Sequence, residues 1–161
     1  MIVNWGKPTI VVQDLEATNA GWKKLPTPVQ DSTEMQTEEG ETVEAPVEGG
    51  ELEDVYVKRS KYKLVLRIRK TKNRPMPIPA SDGVVANNYK VALQPEDPAC
   101  YGLQIDKSRV SVKDTYTAKD GAMWEYTFTA LKPETGDSVK WGIIDINAET
   151  NAPTLTTVSA G

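Results

Sequence analysis

The sequence predicts a mainly β fold, an antiparallel β-sandwich or barrel with long hairpin and loop extensions and at most one short helix. Two segments alternate apolar and polar residues with a period of two, which is typical of strands with one buried face. The expected apolar faces are Tyr62, Leu64, Leu66 and Ile68 in residues 61–70, and Trp124, Tyr126 and Phe128 in residues 123–130. Turn signals containing glycine separate the strand-like segments, and helical periodicity is scarce. We expect the two apolar faces to form the core.

Residues 1–36 are predicted to be an N-terminal arm. The apolar run 10–12 favours a short strand, whereas three prolines interrupt the segment around it. Trp5 and Trp22 carry large rings that need a surface to pack on. The arm is therefore expected to pack on another surface, and the β-sandwich domain is expected to follow it at residues 37–146.

A β-hairpin is predicted around Gly49-Gly50, because a glycine pair between alternating segments favours a two-residue turn. With this turn, the facing pairs are Glu41 with Lys58, Val43 with Tyr56, and Val47 with Leu52. The same register sets Glu48 opposite Glu51, and like charges in facing positions destabilise an isolated hairpin. Such a tip is acceptable when water solvates it fully or when cations of another element lie beside it.

Charge is distributed in two adjacent blocks of opposite sign. Residues 26–57 contain ten carboxylates and no lysine or arginine, and residues 58–74 contain nine cations and no carboxylate. Adjacent blocks of opposite charge indicate a surface that meets its own complement, within one copy or between two. The acidic candidates for this interface are Glu38, Glu39, Glu41, Glu44, Glu48, Glu51, Glu53 and Asp54. The basic candidates are Lys58, Arg59, Lys61, Lys63, Arg67 and Arg69. A solvated hairpin whose charges only maintain solubility is the alternative.

Residues 71–88 are predicted to be a long contact loop that Pro75, Pro77 and Pro79 stiffen into an extended conformation. The one short helix that the sequence allows lies near residues 81–88. A free loop has little reason to expose apolar side chains, so this loop is expected to contact another subunit. Its contact candidates are Arg74, Met76, Ile78, Val84 and Val85. Further strands are expected at residues 89–93, 110–112, 123–130 and 139–146. The C-terminal tail, residues 147–161, is expected to be an edge strand or a disordered end.

Composition narrows the classes of function. The net charge of −4 and the pI near 5.0 argue against a general nucleic-acid binder. The chain has no apolar run of membrane-spanning length, and its first residues lack the pattern of a signal peptide. Histidine is absent and Cys100 is the single cysteine, so a Cys/His or Ser/His nucleophile is not possible. We predict a protein that is not an enzyme, needs no cofactor or metal, and contacts no membrane. Catalysis or cation binding by Glu48, Glu51, Glu53 and Asp54 is the alternative.

Five segments, taken in order, resemble a known family. They are GWKKLPTPVQDST at residues 21–33, EGETVEAPVEGGELEDVYVKRSKYKLVLRIRK at residues 39–70, NNYKVALQPEDP at residues 87–98, KSRVSVKDTYTAKDGAMWEYTFTALKP at residues 107–133, and VKWGIIDI at residues 139–146. In this order the chain resembles the major tail proteins, or tail tube proteins, of tailed bacteriophages and prophages, especially those of Bacteroides-type hosts. The resemblance covers about residues 20–146 and depends on the order of features, not on a signature motif.

The resemblance implies a β-sandwich flanked by a small helix, with six copies in a ring and rings stacked into a hollow tube. Hairpins would reach neighbours and line the lumen with the acidic candidates, and the long loop would contact the next ring. The implied partners are further copies of this chain, other tail proteins, and DNA that passes through an electronegative lumen without tight binding. The implied location is the virion tail, assembled in the host bacterial cytoplasm. The alternative is a monomeric immunoglobulin-like β-sandwich that serves as a binding or decoration module.

Overall fold

The computed structural model describes residues 6–17, 21–30, 32–133 and 136–157, and these residues contain eleven strands and no helix. The strands are β1 (Thr9–Asp14), β2 (Lys23–Lys24), β3 (Glu34–Glu38), β4 (Thr42–Pro46), β5 (Leu52–Val57), β6 (Lys61–Arg69), β7 (Val84–Gln94), β8 (Gly102–Thr117), β9 (Gly121–Ala130), β10 (Lys140–Ile146) and β11 (Pro153–Thr157). The predicted antiparallel β fold is therefore confirmed. The short helix that the sequence allows near residues 81–88 does not form, because β7 begins at Val84. Within the described residues, no helix is present that could cross a membrane.

Nine strands form one antiparallel sheet, and β4 pairs with β5 in a separate two-stranded sheet. The order in the large sheet is β2-β1-β7-β8-β9-β6-β3, with β10 joining β8 and β11 joining β10. β8 changes its partner along its length: residues 108–117 pair with β9, whereas residues 102–104 pair with β10. The sheet therefore divides into two halves near the N-terminal end of β8.

The main core lies between the inward faces of these halves. Leu66, Ile68, Tyr126 and Phe128 are fully buried there with Ile10 and Val12 of β1. All seven side chains that the sequence assigns to the core are in this cluster or packed against it, Tyr62 being the one that is only half-buried. Burial of a large apolar side chain contributes roughly 1.5–3 kcal/mol, so the alternating strands provide much of the driving force for folding.

Strand β1 is covered on both faces, which explains why Ile10, Val11 and Val12 are all buried. Val11 faces away from the main core and packs with Ala92 and Ile144 in a second cluster, to which Trp22 and Leu155 add partial cover. The predicted arm is thus part of the large sheet. Residues 153–157 form an edge strand, which is one of the two structures predicted for the C-terminal tail. Trp5 and residues 158–161 lie outside this description.

A half-buried ionic cluster fixes β10 to β8 and β7. The Asp106 carboxylate accepts hydrogen bonds from Lys140 Nζ and from Gln104 Nε2 (2.8 Å), and Lys90 Nζ lies 3.9 Å away. Burial by itself raises the pKa of Asp106. The hydrogen bonds from Lys140 and Gln104, with the charges of Lys140 and Lys90, outweigh it, so the pKa falls below 3.8. The cluster therefore stabilises the fold in its ionised form.

Candidate assembly interface

The β4–β5 hairpin lies between β3 and β6 in the sequence, and it extends from the edge of the large sheet where these two strands pair. Val43 faces Tyr56, and the Lys58 amide donates to the Glu41 carbonyl at 2.9 Å, as the sequence predicts. Every residue from Glu41 to Arg59 is exposed, and the apolar side chains among them belong to neither core cluster. The hairpin therefore stands free of its own domain.

The tip of the hairpin differs from the predicted register. The register shifts between Ala45 and Pro46, so Leu52 faces Pro46 and the predicted pair of Leu52 with Val47 is wrong. The Val47 amide donates to the Glu51 carbonyl at 2.8 Å, and the Gly50 amide donates to the Val47 carbonyl at 3.0 Å. A β-bulge of this kind adds one residue to a strand, and alternation along the sequence does not reveal it. Glu48 consequently lies within the turn, and the predicted facing position opposite Glu51 is also wrong.

Apolar side chains alternate with carboxylates along the exposed hairpin. Its large exposed apolar side chains are Val43, Val47, Leu52, Val55, Tyr56 and Val57, which are 40–64% accessible. A lone two-stranded hairpin has marginal stability in water, because its strand pair has no third element to pack on. Six exposed large apolar side chains on such a small element indicate a surface that another molecule covers.

The hairpin is also strongly acidic. Residues 41–57 carry six carboxylates and no cation, and we call this segment the acidic hairpin. The acidic candidates follow it in order: Glu38 ends β3, Glu39 and Glu41 lie at the base, Glu44 is on β4, Glu48 is in the turn, Glu51 follows the turn, and Glu53 and Asp54 are on β5. In the described structure the hairpin carboxylates have one ion pair, between Glu41 and Lys58 at 3.3 Å, and both partners are exposed. The basic block of the same copy therefore leaves most of this negative charge uncompensated.

Most of the basic candidates lie on the outward face of β6. Arg67 faces Glu125 of β9 with a nitrogen–oxygen distance of 3.7 Å, and Lys61 faces Glu38 of β3. Lys58 and Arg59 lie instead at the base of the hairpin, before β6 begins. The sequence analysis thus correctly puts cations on the outer face of this strand.

Two further cations on this face were missed from the sequence. Arg109 of β8 is in register with Thr129 and Lys63, and Lys113 of β8 is in register with Glu125 and Arg67. The alternation of polar and apolar residues at 107–113 could have revealed these two cations. Their alignment with β6, however, depends on β9 lying between β6 and β8. We call the combined surface the basic sheet face, which consists of Lys61, Lys63, Arg67, Arg69, Arg109 and Lys113.

The predicted contact loop is partly a core element. Ile78 and Val85 are buried in the main core, so they cannot contact another subunit in the folded protein, and this part of the prediction is wrong. The buried Tyr126 hydroxyl accepts from the Ile78 amide and donates to the Ile78 carbonyl, both at 3.2 Å. Met76 also packs against the core. These contacts hold the proline-rich segment on the domain, because its backbone groups need internal partners when buried.

The remaining loop candidates stay accessible. Val84 is 61% exposed at the start of β7, and Arg74 donates through Nη1 to the Arg69 carbonyl at 2.9 Å. A positive φ of 81° at Gly83 and a reciprocal pair of backbone hydrogen bonds between Ser81 and Val84 form a tight turn there. A contact role of this turn in stacking is still a prediction.

A groove opens where the sheet divides into two halves. One wall is the row Leu93–Leu103–Trp141 across β7, β8 and β10, and the other contains Met35 of β3 and Leu64 of β6. Its volume is about 770 Å³. Trp141 is 51% exposed at its border, and polar side chains such as Thr27, Gln30 and Thr33 share the lining with the apolar ones. In the described parts of the chain, no cluster of three or more histidine, cysteine or acidic residues offers a metal site.

No protein-family model matches the sequence, and a search of curated proteins finds no match. Among solved structures, the fold is similar to the sheath/tube terminator of PVC, an extracellular contractile injection system, in its extended state by cryo-electron microscopy. The match has a TM-score of 0.52 and 14% sequence identity, and it covers 82% of this chain and 91% of the terminator chain. At this identity the likeness concerns the fold.

Proposed function

We propose that the protein is a structural subunit of a phage-tail-type assembly, which associates into rings that stack into a tube for DNA passage. The likeness to a tail terminator supports a tail-associated role, because it extends over nearly the full length of both chains. Hexameric rings, the identity as a major tail protein and the Bacteroides-type host come from the sequence resemblance alone. Assembly in the host bacterial cytoplasm and final location in the virion tail belong to the same proposal.

The acidic hairpin is the observation that carries this proposal. It exposes six large apolar side chains and six carboxylates, and it has no cover from its own domain. Burying apolar surface contributes roughly 25 cal/mol per Å², so cover from another copy stabilises both the hairpin and the assembly. The basic sheet face offers charges of the opposite sign on a different part of the same chain.

The separation of the two charged surfaces favours a ring over a two-fold dimer. In a two-fold dimer the same patch meets itself, and contact between two acidic hairpins brings like charges together. When the hairpin of one copy meets the basic sheet face of the next, the contact is heterologous and repeats around a ring. Exposed ion pairs contribute about 0.2–1 kcal/mol each, so the network as a whole determines association.

Charge reversal tests the proposal directly. We expect the triple variant Glu48→Lys, Glu51→Lys, Glu53→Lys to remain a folded monomer, and the variant Lys61→Glu, Lys63→Glu, Arg67→Glu to behave in the same way. Mixing the two variants should partly restore rings, as measured by light scattering after size exclusion. A control with an equal charge change uses the exposed residues Lys72, Lys119 and Lys132, each changed to glutamate. Normal assembly of both test variants at low salt would refute the charge-pairing part of the proposal.

A terminator-like role is the second candidate, because the similar solved structure is a tail terminator. Negative-stain images at increasing protein concentration separate the two roles. A tube protein forms stacked rings of growing length, whereas a terminator stops at single rings. A protein that stays monomeric at every concentration would favour the binding or decoration module.

A further inference from the structure

We infer that the groove of one copy receives the tip of the acidic hairpin of the next copy, with Val47 and Leu52 packing between Tyr101 and Trp141. The inference rests on the proposed self-assembly and specifies which surface buries the apolar part of the hairpin. The charge-reversal experiment changes Glu48 and Glu51 at the same tip, so the groove is tested separately by variants that leave these carboxylates in place.

The apolar part of the groove results from the way in which the sheet divides. β10 replaces β9 as the partner of β8, so the inward rows of the two halves separate instead of closing on each other. Leu93, Leu103 and Met35 consequently line a groove that is open to water. An open cavity of this size with apolar side chains on its walls is suited to a side-chain anchor from a partner, since filling it removes apolar surface from water.

Charge at the groove is nearly balanced among the described residues. Lys7 lines the groove, and the Glu96 carboxylate beside it accepts a hydrogen bond from the Lys7 backbone amide at 3.2 Å. Glu48 and Glu51 flank Val47 and Leu52 at the tip. The two apolar tip residues therefore carry the contact, and Lys7 is the cation of the groove lining available to the tip carboxylates.

The hairpin of the same copy does not fill the groove. Val47 and Leu52 are 40% and 49% exposed, and the hairpin extends for about six residues per strand, roughly 20 Å at 3.3 Å per residue. A projection of this length is well suited to reach a neighbouring copy. Val47 and Leu52 form an apolar surface at the tip, and Tyr101 and Trp141 form one at the groove border. A heterologous contact can bury these two surfaces together.

The native cysteine provides a direct test, because Cys100 precedes Tyr101 and is partly exposed. In a Leu52→Cys variant, hairpin docking brings position 52 close to Cys100 of the next copy. We expect mild oxidation, or a short bis-maleimide, to produce a ladder of covalent oligomers on a non-reducing gel. Adding Cys100→Ser to this variant should remove the ladder above the dimer, since a link between two copies of position 52 cannot extend. Lys119→Cys, at the exposed β8–β9 turn, is the position control and should give no ladder.

Truncating the aromatic border tests the same contact without crosslinking. Trp141→Ala should raise the concentration needed for assembly at least tenfold, because large aromatic anchors dominate such contacts. Tyr116→Ala is the matched control, since Tyr116 is 76% exposed at the opposite end of β8. Thermal unfolding of both variants verifies that the fold is intact.

The outcomes distinguish the groove from the proposed function. Ring formation without a ladder from Leu52→Cys would overturn the groove assignment and leave self-assembly standing. A ladder that extends beyond the dimer and disappears with Cys100→Ser supports the assignment. If the wild-type protein forms no rings at any concentration, the proposed function and this inference both fail.

Discussion

Replacing Tyr126 with phenylalanine tests how the proline-rich segment is held on the core. Tyr126 is fully buried, and its hydroxyl oxygen lies 3.2 Å from both the nitrogen and the carbonyl oxygen of Ile78. One hydroxyl thus satisfies a donor and an acceptor of the same backbone residue. Tyr126→Phe retains the ring and leaves both groups of Ile78 without this partner.

The expected loss of stability follows from these two hydrogen bonds. Leaving a buried donor or acceptor unpaired costs about 1–3 kcal/mol for each group. For the two groups together, we therefore expect the free energy of unfolding to fall by about 2–6 kcal/mol. With a urea dependence of about 2 kcal/mol per molar, the urea midpoint should fall by about 1–3 M.

Urea unfolding measures this loss, and amide hydrogen exchange locates it. The Ile78 amide should be protected in the wild-type protein and exchange much faster in the variant, while amides of β6 and β9 change less. Tyr116→Phe is the control, because its hydroxyl is on a side chain that is 76% exposed. A loss below about 0.5 kcal/mol, the range of ordinary surface substitutions, with unchanged Ile78 protection would refute the reasoning.

Three further predictions concern pH, the hairpin base and DNA. The folded-state pKa of Asp106 lies below 3.8, so its contribution is fully present above that pH and is lost as the pH falls through the folded value. Asp106→Asn should lower the stability at pH 7 by about 1–3 kcal/mol and flatten the acid limb of a pH–stability curve; an unchanged acid limb would contradict this role. Gly40→Ala should impair assembly and lower the temperature of unfolding, because an added Cβ would overlap the Lys58 backbone carbonyl at the hairpin base, whereas Gly21→Ala, which meets no atom within 4 Å, should change neither; normal assembly and an unchanged unfolding temperature of Gly40→Ala would contradict this prediction. Assembled tubes should bind DNA weakly, and added salt should weaken assembly, with a screening length near 10 Å at about 0.1 M; micromolar, salt-sensitive DNA affinity would show that the basic sheet face remains uncovered.

Alternation along single strands was sufficient to predict much of the fold from the sequence. In β6 and β9, every second residue is apolar, and the two faces of a strand require no knowledge of its neighbours. The hairpin followed from its glycine pair, and Gly49 and Gly50 indeed adopt positive φ angles of 97° and 89°. The opposite charges of the two blocks were likewise visible in order along the chain.

Contacts between residues distant in the sequence decided what the sequence analysis missed. Ile78 looked like a loop residue until the Tyr126 hydroxyl, 48 positions away, satisfied its backbone and allowed its burial. The alignment of Arg109 with Lys63 needs β9 between their strands, and the groove needs β10 to replace β9 beside β8. An alternation with a period of two indicates which face of a strand is apolar. The choice of strand partners depends instead on packing over the whole chain. The sequence by itself therefore determined the alternating strands with their apolar faces, the hairpin and the charged blocks. The tertiary structure added β2 and β3 and decided which surfaces remain open for another copy.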